Sequence, residues 1–457
     1  MFRLSEAAAA IGAILVGADV EVDSVTTDSR GTAAGDLFVA LRGERFDGHQ
    51  FVKGALAAGA SAALVSDRAA AGAEASPLLV VDDTRAALGR LAAWWRGRFS
   101  LTVAGVTGSN GKTTVKEMLA AILRVHAGED AVLATQGNLN NDIGLPLMLL
   151  RLRSQHRFAV LEMGMNHLGE IRYLSGLARP DVAVINNAGV AHIGELGSRE
   201  NIARAKGEIF EGLVAGGVRV LNADDDFIDY WRSLPGNASV IEFSLDHVAD
   251  VSATCELDDA GSLVALRLPD GTATARVNLP GRHNVRNALA AAAVAHALRV
   301  PVTTIAEGLG RYEGTKGRLQ RKAGPGGSLL VDDTYNANPD SMTAAIAWLA
   351  RSSGKRVFVM GDMGELGPDA AHWHAEVGRF AREQRIDRFL AFGEASAAAV
   401  SAFGPDARHF QDLDALVAAV DAECAPGTTV LVKGSRFMRM ERVVAQLLHE
   451  ETTAGSH

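Results

Sequence analysis

The chain has 457 residues, of which 48% are hydrophobic and 22% charged, and it carries a formal net charge of −9 at pH 7. This length is too great for one hydrophobic core, so we expect two to four globular domains. The acidic balance, the lack of a Lys/Arg-rich block and the presence of only two cysteines argue against nucleic acid as the main partner, a disulfide framework and a Cys-based zinc site.

The N-terminal segment MFRLSEAAAAIGA is apolar enough to resemble a secretion signal. Glu6 interrupts its apolar run, however, and Ser5 is typical of a helix N-cap, so we predict a helix instead. No stretch of about 18 uncharged apolar residues occurs in the chain. We therefore expect a cytoplasmic protein with no membrane partner, whose residues 1–99 form a first domain of short α/β elements.

Between residues 100 and 314, near-continuous apolar runs alternate with segments of helical period, which indicates a parallel sheet covered by helices. Residues 249–281 differ, because their Asp-Gly and Asp-Ala-Gly turns predict antiparallel hairpins. The helix after the first run has one apolar face, made of Val115, Met118, Leu119, Ile122 and Leu123. The buried strands of this second domain are predicted at 101–107, 158–164, 181–187 and 218–224.

The same alternation resumes in a third predicted domain, residues 315–457. Its predicted strands are 329–334, 356–362, 388–394 and 429–435. Many of the apolar runs end in polar or glycine-rich clusters, and ligands of open α/β sheets bind outside the carboxyl ends of the strands. The predicted fold class is therefore α/β, with boundaries near residues 99 and 314 and a ligand site at the carboxyl edge of the sheets.

The segment GVTGSNGKTT at residues 105–114 nearly matches a phosphate-binding loop, but the standard pattern needs a glycine where Val106 stands. The glycines still let backbone N–H groups turn towards a phosphate, and the following helix N-terminus adds positive potential. Lys112 adds a full charge, and the Thr113 hydroxyl suits Mg²⁺. We therefore predict a nucleotide triphosphate bound by Gly108, Ser109, Asn110, Gly111, Lys112, Thr113 and Thr114.

The loop alone leaves the class of nucleotide enzyme open. A GTPase needs an Asn-Lys-x-Asp signature, which the chain lacks. A P-loop ATPase places an acid after an apolar strand, and LLVDDT at 329–334 has that form, although it lies in the third predicted domain. A P-loop ATPase or a nucleotide-gated binding module without ligase activity therefore stays an alternative.

Three more polar residues follow predicted strands or lie on a predicted helix of the second domain. Glu162 ends an apolar run and suits a Mg²⁺ ligand. His192 follows the next run, although a lone histidine is more often a hydrogen-bonded loop residue. Lys206 lies on a predicted helix, where a lysine is usually solvated. Taken singly, the last two residues do not indicate a function.

Four motifs follow one another along the second domain: TGSNGKTT, LEMGMNHLGEI, NNAGVAHIGELGSRENIARAKGEIF and GRHNVRNALAAAA. In this order they resemble the ATP-dependent Mur ligase superfamily, whose compressed loop TGxxGK[ST] accounts for Val106. TTDSRGTAAGDLFVALRGERFDGHQF resembles the family's UDP-binding domain, and DDTYNANPDSM, GDMGELG and VLVKGSR resemble the third domain of its dipeptide-adding branch. The resemblance implies a small UDP-substrate domain, a central P-loop ATPase domain and a C-terminal Rossmann-like domain.

The resemblance also implies ATP and a pair of Mg²⁺ ions as cofactors. In the family the helix lysine is commonly carbamylated by CO₂, which would turn the ammonium group of Lys206 into an anionic oxygen ligand. The implied metal ligands are Thr113, Glu162, His192 and Lys206, and the implied catalytic residues are Lys112, Glu162, His192, Lys206 and Arg318. The family's adenine and ribose contacts correspond to Asn287, Arg318 and Asp333.

The implied reaction joins D-Ala-D-Ala to UDP-N-acetylmuramoyl-tripeptide through an acyl phosphate, a cytoplasmic step of peptidoglycan precursor synthesis, and we expect a monomer. The implied substrate residues are Ser29, Arg30, Gly43 and His49 in the first domain and Asn138, Asn140 and Asn141 in the second. Any one of them could instead be an ordinary turn or cap residue. Ligases of folylpoly-γ-glutamate or of the third peptide residue are the nearest alternatives. The former lack a UDP-type first domain, and the latter carry an Asp-Asn-Pro-Arg motif that is absent here.

Overall fold

A computed structural model describes residues 1–43, 46–72 and 75–450, so the tail 451–457 lies outside the described residues. Three mixed sheets, each packed against helices, follow one another along the chain. The predicted α/β fold class is therefore confirmed. Within the described residues, no helix combines the length and apolar character needed to cross a bilayer.

The N-terminal sheet is small and mostly parallel. The strands of this N-terminal part are β1 (Phe2–Arg3), β2 (Ile14–Val16), β3 (Glu21–Val22), β4 (Ser24–Thr26), β5 (Asp36–Val39), β6 (Ala62–Val65) and β7 (Leu78–Val80), with helices α1 (Leu4–Ile11), α2 (Val52–Ala57), α3 (Arg68–Ala71) and α4 (Thr84–Arg96). The strand order is β2-β7-β6-β5-β4, with β2 antiparallel and the others parallel, while β1 and β3 pair separately. Asp83 caps the start of helix α4, because its carboxylate accepts hydrogen bonds from two backbone N–H groups of the first turn.

The central sheet has nine strands in the order β16-β15-β14-β13-β12-β11-β8-β10-β9. They are β8 (Thr102–Thr107), β9 (Val132–Ala134), β10 (Phe158–Glu162), β11 (Val182–Ile185), β12 (Val218–Asn222), β13 (Ser239–Ser244), β14 (Val251–Leu257), β15 (Ser262–Leu268) and β16 (Gly271–Val277). The helices are α5 (Lys112–Ala127), α6 (Gly144–Leu149), α7 (Glu170–Ala178), α8 (Ile193–Leu196), α9 (Arg199–Gly207), α10 (Ile228–Ser233), α11 (Arg282–Ala297) and α12 (Val302–Arg311). The predicted hairpins are β14 to β16, and they extend the parallel sheet through β13.

The C-terminal sheet has the order β17-β18-β22-β19-β20-β21, with only β17 antiparallel. Its strands are β17 (Gln320–Ala323), β18 (Leu329–Asp333), β19 (Lys355–Gly361), β20 (Arg388–Phe392), β21 (Ala407–Phe410) and β22 (Thr428–Lys433). Its helices are α13 (Pro339–Leu349), α14 (Ala370–Glu383), α15 (Ala397–Phe403), α16 (Leu413–Asp421) and α17 (Glu441–Leu447). All eight strands predicted for the second and third domains are present.

Helix α5, which leaves the phosphate-binding loop, is fixed by its apolar face. All five side chains predicted for that face are fully buried, and they pack with β8, α11 and α12 in one core cluster. Burial of each such side chain stabilises the fold by about 1.5–3 kcal/mol. The start of α5 is thereby held at the carboxyl end of β8.

Gly308 of α12 marks the closest approach of that helix to α5. A Cβ atom at this position would lie 2.8 Å from the backbone nitrogen of Ile122 and against its Cα. We expect Gly308→Ala to lower the free energy of unfolding by about 2 kcal/mol, because neither backbone can yield without disturbing the core. Gly310→Ala in the same helix is the matched control, since its Cβ would meet only Arg276 O at 3.7 Å. Urea unfolding that gives equal stability for both variants would contradict this packing.

Candidate nucleotide and substrate site

The phosphate-binding loop begins after β8, which explains why Val106 is tolerated. Val106 is a fully buried strand residue, and the loop proper runs from Gly108 to Gly111. Both glycines have positive φ, 155° and 79° respectively, where a side chain is strained. A Cβ at Gly111 would also approach Asn186 Nδ2 to 2.5 Å. The loop therefore needs glycine at both of its ends and has no need of one at 106.

Lys112 is the first residue of α5, and its side chain folds back across the loop. The Nζ group donates to Gly108 O at 2.8 Å and lies 3.3 Å from Ser109 O. Burial is the main cause that lowers the pKa of Lys112, and the nearby Arg318 adds to it, while Glu162 opposes it. A cation held in this way, beside the N-terminus of a 16-residue helix, favours an anionic ligand.

Two asparagines that follow β11 hold the loop, and the sequence interpretation gave them no role. Asn187 accepts from the backbone N–H groups of Ser109 and Asn110 at 2.9 and 2.8 Å. Asn186 Nδ2 donates to Asn110 O and to Asn287 Oδ1, both at 2.9 Å. The available signal was their position directly after a buried strand, at the edge where the loop also lies.

Asn287, an implied nucleotide contact, lies beside the loop on α11. Its side chain is buried, accepts from Asn186 and donates to Asn284 Oδ1 at 3.1 Å. The described contacts of Asn287 therefore help to hold Asn186, which in turn bonds the loop.

Thr113 and Glu162 form the oxygen-rich part of the site. Thr113 Oγ1 donates to Glu162 Oε2 at 2.9 Å, and both side chains are buried. Asn140 Nδ2 donates to the other carboxylate oxygen at 2.7 Å. Hydroxyl and carboxylate oxygens are hard donors that suit Mg²⁺. In the described part of the chain no three His, Cys, Asp or Glu side chains converge as a metal centre, so a cation here needs ligands from phosphate, water or a modified side chain.

Arg318 reaches the same hydroxyl from the C-terminal part of the chain. Its Nη2 donates to Thr113 Oγ1 at 2.9 Å, and its guanidinium lies 4.4 Å from the centroid of the Tyr335 ring. The ring fixes the plane of the guanidinium group. The structure thus brings Lys112, Thr113, Glu162 and Arg318 together, as the sequence interpretation expected.

His192 lies at the start of α8 and faces the C-terminal part of the chain. Its Nδ1 is 2.7 Å from Glu365 Oε2, and the contact with His192 is the main cause that lowers the pKa of the Glu365 carboxyl. Glu365 belongs to the GDMGELG motif after β19, and no role was expected for it.

Lys206 lies on α9 with only 1% of its surface exposed. Among the described residues its ammonium group has no hydrogen-bond or ion-pair partner. Burial, with a smaller contribution from the charge of Lys112, lowers the pKa of Lys206 well below its usual range. Burial thus shifts the side chain towards the neutral amine, and the structure does not show a solvated helix lysine.

Asp333 ends β18 and is paired. Its Oδ2 accepts from Lys433 Nζ at 2.7 Å, and its Oδ1 accepts from Leu319 N at 3.1 Å. Lys433 belongs to the KGSR motif and also donates to Asn336 O at 2.9 Å. The ion pair thereby joins the neighbouring strands β18 and β22 of the C-terminal sheet next to Arg318.

The residues implied for the UDP-sugar site lie after the parallel strands of the N-terminal sheet. Ser29 and Arg30 follow β4, with Arg30 paired to Asp28 at 2.7 Å, and Gly43 and His49 follow β5. The carboxyl ends of these strands form one edge. The His49 ring is buried, with Nδ1 2.5 Å from Asp47 Oδ1 and Nε2 accepting from Ser66 N at 2.9 Å, so it supports the loop from below.

The three asparagines of TQGNLNND have different environments. Asn140 contacts Glu162, as described above. Asn141 Oδ1 accepts from Gly144 N at 2.8 Å and so caps the start of α6. Asn138 is exposed and accepts through its backbone oxygen from Asn140 N at 2.7 Å. Of these three asparagines, only Asn140 forms a described hydrogen bond with Glu162.

Comparison with known proteins shows that three family models match the chain in sequence order. They describe the Mur ligase family catalytic domain at residues 21–96, the Mur ligase middle domain at 106–295 and the Mur ligase glutamate ligase domain at 317–436.

Relatives from several bacteria are similar over nearly the whole chain. The UDP-N-acetylmuramoyl-tripeptide–D-alanyl-D-alanine ligase of Escherichia coli (strain K12) is 44% identical over 96% of each chain, and that of Bacillus subtilis (strain 168) is 37% identical over 93% of each. A crystal structure of MurF from Acinetobacter baumannii superposes with a TM-score of 0.90 at 39% identity over 98% of each chain. MurF from Thermotoga maritima in complex with ADP covers 94% of this chain and 98% of its own, with a TM-score of 0.82 at 29% identity.

More distant ligases share the fold alone. A folylpolyglutamate synthase from Mycobacterium tuberculosis, solved with ADP, superposes with a TM-score of 0.64 at 18% identity over 80% of this chain. The Escherichia coli and Bacillus subtilis relatives both carry the UDP-N-acetylmuramoyl-tripeptide–D-alanyl-D-alanine ligase name. The chain therefore belongs to the Mur ligase family, among its UDP-N-acetylmuramoyl-tripeptide–D-alanyl-D-alanine ligases.

Proposed function

We propose that the chain uses ATP to join the amine of D-Ala-D-Ala to the terminal carboxylate of UDP-N-acetylmuramoyl-tripeptide. Full-length similarity to ligases of this name supports the substrates. The observation that carries the proposal is the meeting of Lys112, Thr113 and Glu162 with Arg318, because a phosphoryl-transfer site needs cations and hard oxygen donors around one anion.

The reaction has to activate a carboxylate, which is a poor electrophile at neutral pH. A carboxylate oxygen of the tripeptide attacks the γ-phosphorus of ATP, the bond from that phosphorus to the β,γ-bridging oxygen breaks, and ADP leaves. The amine of D-Ala-D-Ala then attacks the acyl carbon and loses a proton. Phosphate departs with the oxygen that had belonged to the carboxylate, and an amide remains.

The residues of the loop and of the C-terminal part divide this work. Lys112 and Arg318 hold positive charge beside the transferring phosphoryl group, and the N-terminus of α5 orients it. In this proposal Thr113, Glu162 and His192 would hold Mg²⁺, which when bound supplies further neutralisation of phosphate charge. Asn287 and Asp333 complete the part of the proposed site that binds the nucleotide.

Lys206 fits the metal side of this site only after modification. An unmodified ammonium would repel a divalent cation, and this one has no partner among the described residues. The lowered pKa of Lys206 favours the neutral amine that CO₂ attacks. We therefore include a carbamate on Lys206 in the proposal, since it would turn this buried amine into an anionic oxygen ligand.

The proposal assigns the tripeptide substrate to the region between the carboxyl edges of the N-terminal and central sheets. Ser29, Arg30 and Gly43 lie at the edge suited to the UDP-sugar, and Asn140 lies beside Glu162, where the reacting carboxylate must arrive. Asn138 and Asn141 shape the same loop. A division into domains near residues 99 and 314, a monomer and a cytoplasmic location belong to the same proposal.

Phosphate release from ATP with Mg²⁺ should require both UDP-N-acetylmuramoyl-tripeptide and D-Ala-D-Ala. Each component is omitted in turn, and the product is identified by mass. The expected result is that phosphate is released only when both peptide substrates are present, and that the product is a pentapeptide. Release with neither peptide substrate, or with glutamate as the acceptor in place of the dipeptide, would contradict the proposal.

A further inference from the structure

The contact between His192 and Glu365 joins two parts of the chain 173 positions apart in sequence. His192 stands at the start of α8 beside the central sheet, and Glu365 stands in the loop after β19 of the C-terminal sheet. The atoms concerned are His192 Nδ1 and Glu365 Oε2, 2.7 Å apart. Nδ1 is buried, and its contact with Glu365 is an ion pair whose angle departs from that of a regular hydrogen bond; among the described residues no other group bonds this nitrogen.

Both residues are held in unusual backbone conformations. The φ angle is 64° at His192 and 63° at Glu365, in the left-handed region that residues other than glycine rarely adopt. Such conformations persist when the surroundings impose them, and they are common at functional sites. Here both peptide segments bend so that the two side chains face each other.

Backbone contacts also hold the segments that carry His192 and Glu365 close together. Gly194 N donates to Glu365 O at 3.0 Å, and a Cβ at Gly194 would lie 2.5 Å from Gly367 N. The two loops therefore approach as closely as glycine allows. The position of the Glu365 carboxylate is thus set by backbone contacts with the very segment that carries His192.

We infer that Glu365 is a positioning residue, whose carboxylate accepts the Nδ1–H of His192 and so presents Nε2 to the cation of the nucleotide site. This inference rests on the proposed role of His192 as a metal ligand. A carboxylate can only accept, and an imidazole that binds a metal through one nitrogen commonly donates its other N–H to such a group. The carboxylate comes from the loop after a strand of the C-terminal sheet. The orientation of the His192 ring for metal binding therefore depends on how that sheet packs against the central part of the chain.

The first test reads the ring itself, without nucleotide or metal. Protein labelled with ¹⁵N-histidine is measured at about pH 8, where an ordinary imidazole is neutral, and the His192 signals are assigned by their loss in His192→Gln. The wild type should show the Nδ1–H tautomer. Glu365→Leu should shift the ring towards the Nε2–H form that free histidine prefers, and Glu365→Gln, whose amide oxygen can still accept, should not.

The second test uses Mn²⁺ as the metal probe in the presence of ADP, with binding followed by electron paramagnetic resonance. Glu365→Leu should weaken Mn²⁺ binding by about 10- to 100-fold, and Glu365→Gln by much less. Arg321→Gln is the control for general docking, because it removes a different contact of the C-terminal sheet, the 2.8 Å hydrogen bond to Asp259 O, and should change neither readout.

The outcomes distinguish a failure of the positioning role inferred for Glu365 from a failure of the metal-ligand role proposed for His192. If His192→Gln leaves Mn²⁺ affinity unchanged, the ligand role of His192 fails and the inference fails with it. If His192→Gln weakens binding while Glu365→Leu changes neither the tautomer nor the affinity, only the inference is overturned. If Arg321→Gln reproduces both effects of Glu365→Leu, Glu365 acts merely through docking and the inference is again overturned.

Discussion

Replacing Lys112 with methionine is expected to lower the ligase turnover number by about 10³-fold or more. The Nζ group lies across the loop, within hydrogen-bond distance of Gly108 O and at the N-terminus of α5. Methionine keeps most of the volume but removes the charge that stabilises the transferring phosphoryl group. Initial rates of phosphate release at saturating substrates measure this effect.

The same variant should not unfold the protein, which separates catalysis from stability. Burial lowers the pKa of Lys112 in the folded chain, so the unfolded state binds the proton more tightly. Below the ordinary lysine pKa the charged side chain therefore opposes folding, and its removal should leave the melting temperature equal or higher at pH 7. Turnover within tenfold of the wild type, at an unchanged melting temperature, would contradict the role given to Lys112.

Lys206→Ala is expected to cause a comparable loss of turnover, about 10³-fold, because it removes the proposed carbamate from the metal side. A short carboxylate such as formate or propionate, added at high concentration, should restore part of the activity by entering the space vacated by the side chain. Lys112→Met, which lacks a cation and not an oxygen ligand, should show no such rescue. Dose-dependent phosphate release is the readout.

The activity of the wild type should also depend on CO₂, and the pH dependence of its recovery follows from the lowered pKa of Lys206. The neutral amine gains population as pH rises through the folded-state pKa, so carbamylation after CO₂ removal and bicarbonate return should be faster at higher pH. Full activity of Lys206→Ala, or wild-type activity that ignores CO₂ depletion, would contradict the carbamate proposal.

Much of the fold is predictable because its strands are buried on both faces. Strands such as Phe158–Glu162 and Val182–Ile185 are entirely buried, and their unbroken apolar runs distinguish them from hairpin strands. The strand Ser239–Ser244 lacked this signal, because it begins exposed and is polar at both ends. It is nevertheless the strand that joins the predicted hairpins to the parallel sheet.

The site is predictable where local pattern and family motif agree. The loop and Glu162 lie in motifs and Arg318 was implied by the family resemblance, and the structure places all three around the Thr113 hydroxyl. Asn186 and Glu365 have no such signal, because asparagine and glutamate after strands are common turn and surface residues. Their partners lie 76 and 173 positions away, and such pairings follow from tertiary packing.

The central claim is that the tripeptide carboxylate is activated by phosphoryl transfer and then captured by D-Ala-D-Ala. The most direct measurement uses UDP-N-acetylmuramoyl-tripeptide labelled with ¹⁸O in both oxygens of the reacting carboxylate. The account predicts that each turnover transfers one ¹⁸O to inorganic phosphate and leaves one in the new amide of the pentapeptide. Phosphate without ¹⁸O, released alongside unchanged tripeptide, would show that ATP is hydrolysed by water and would contradict the account.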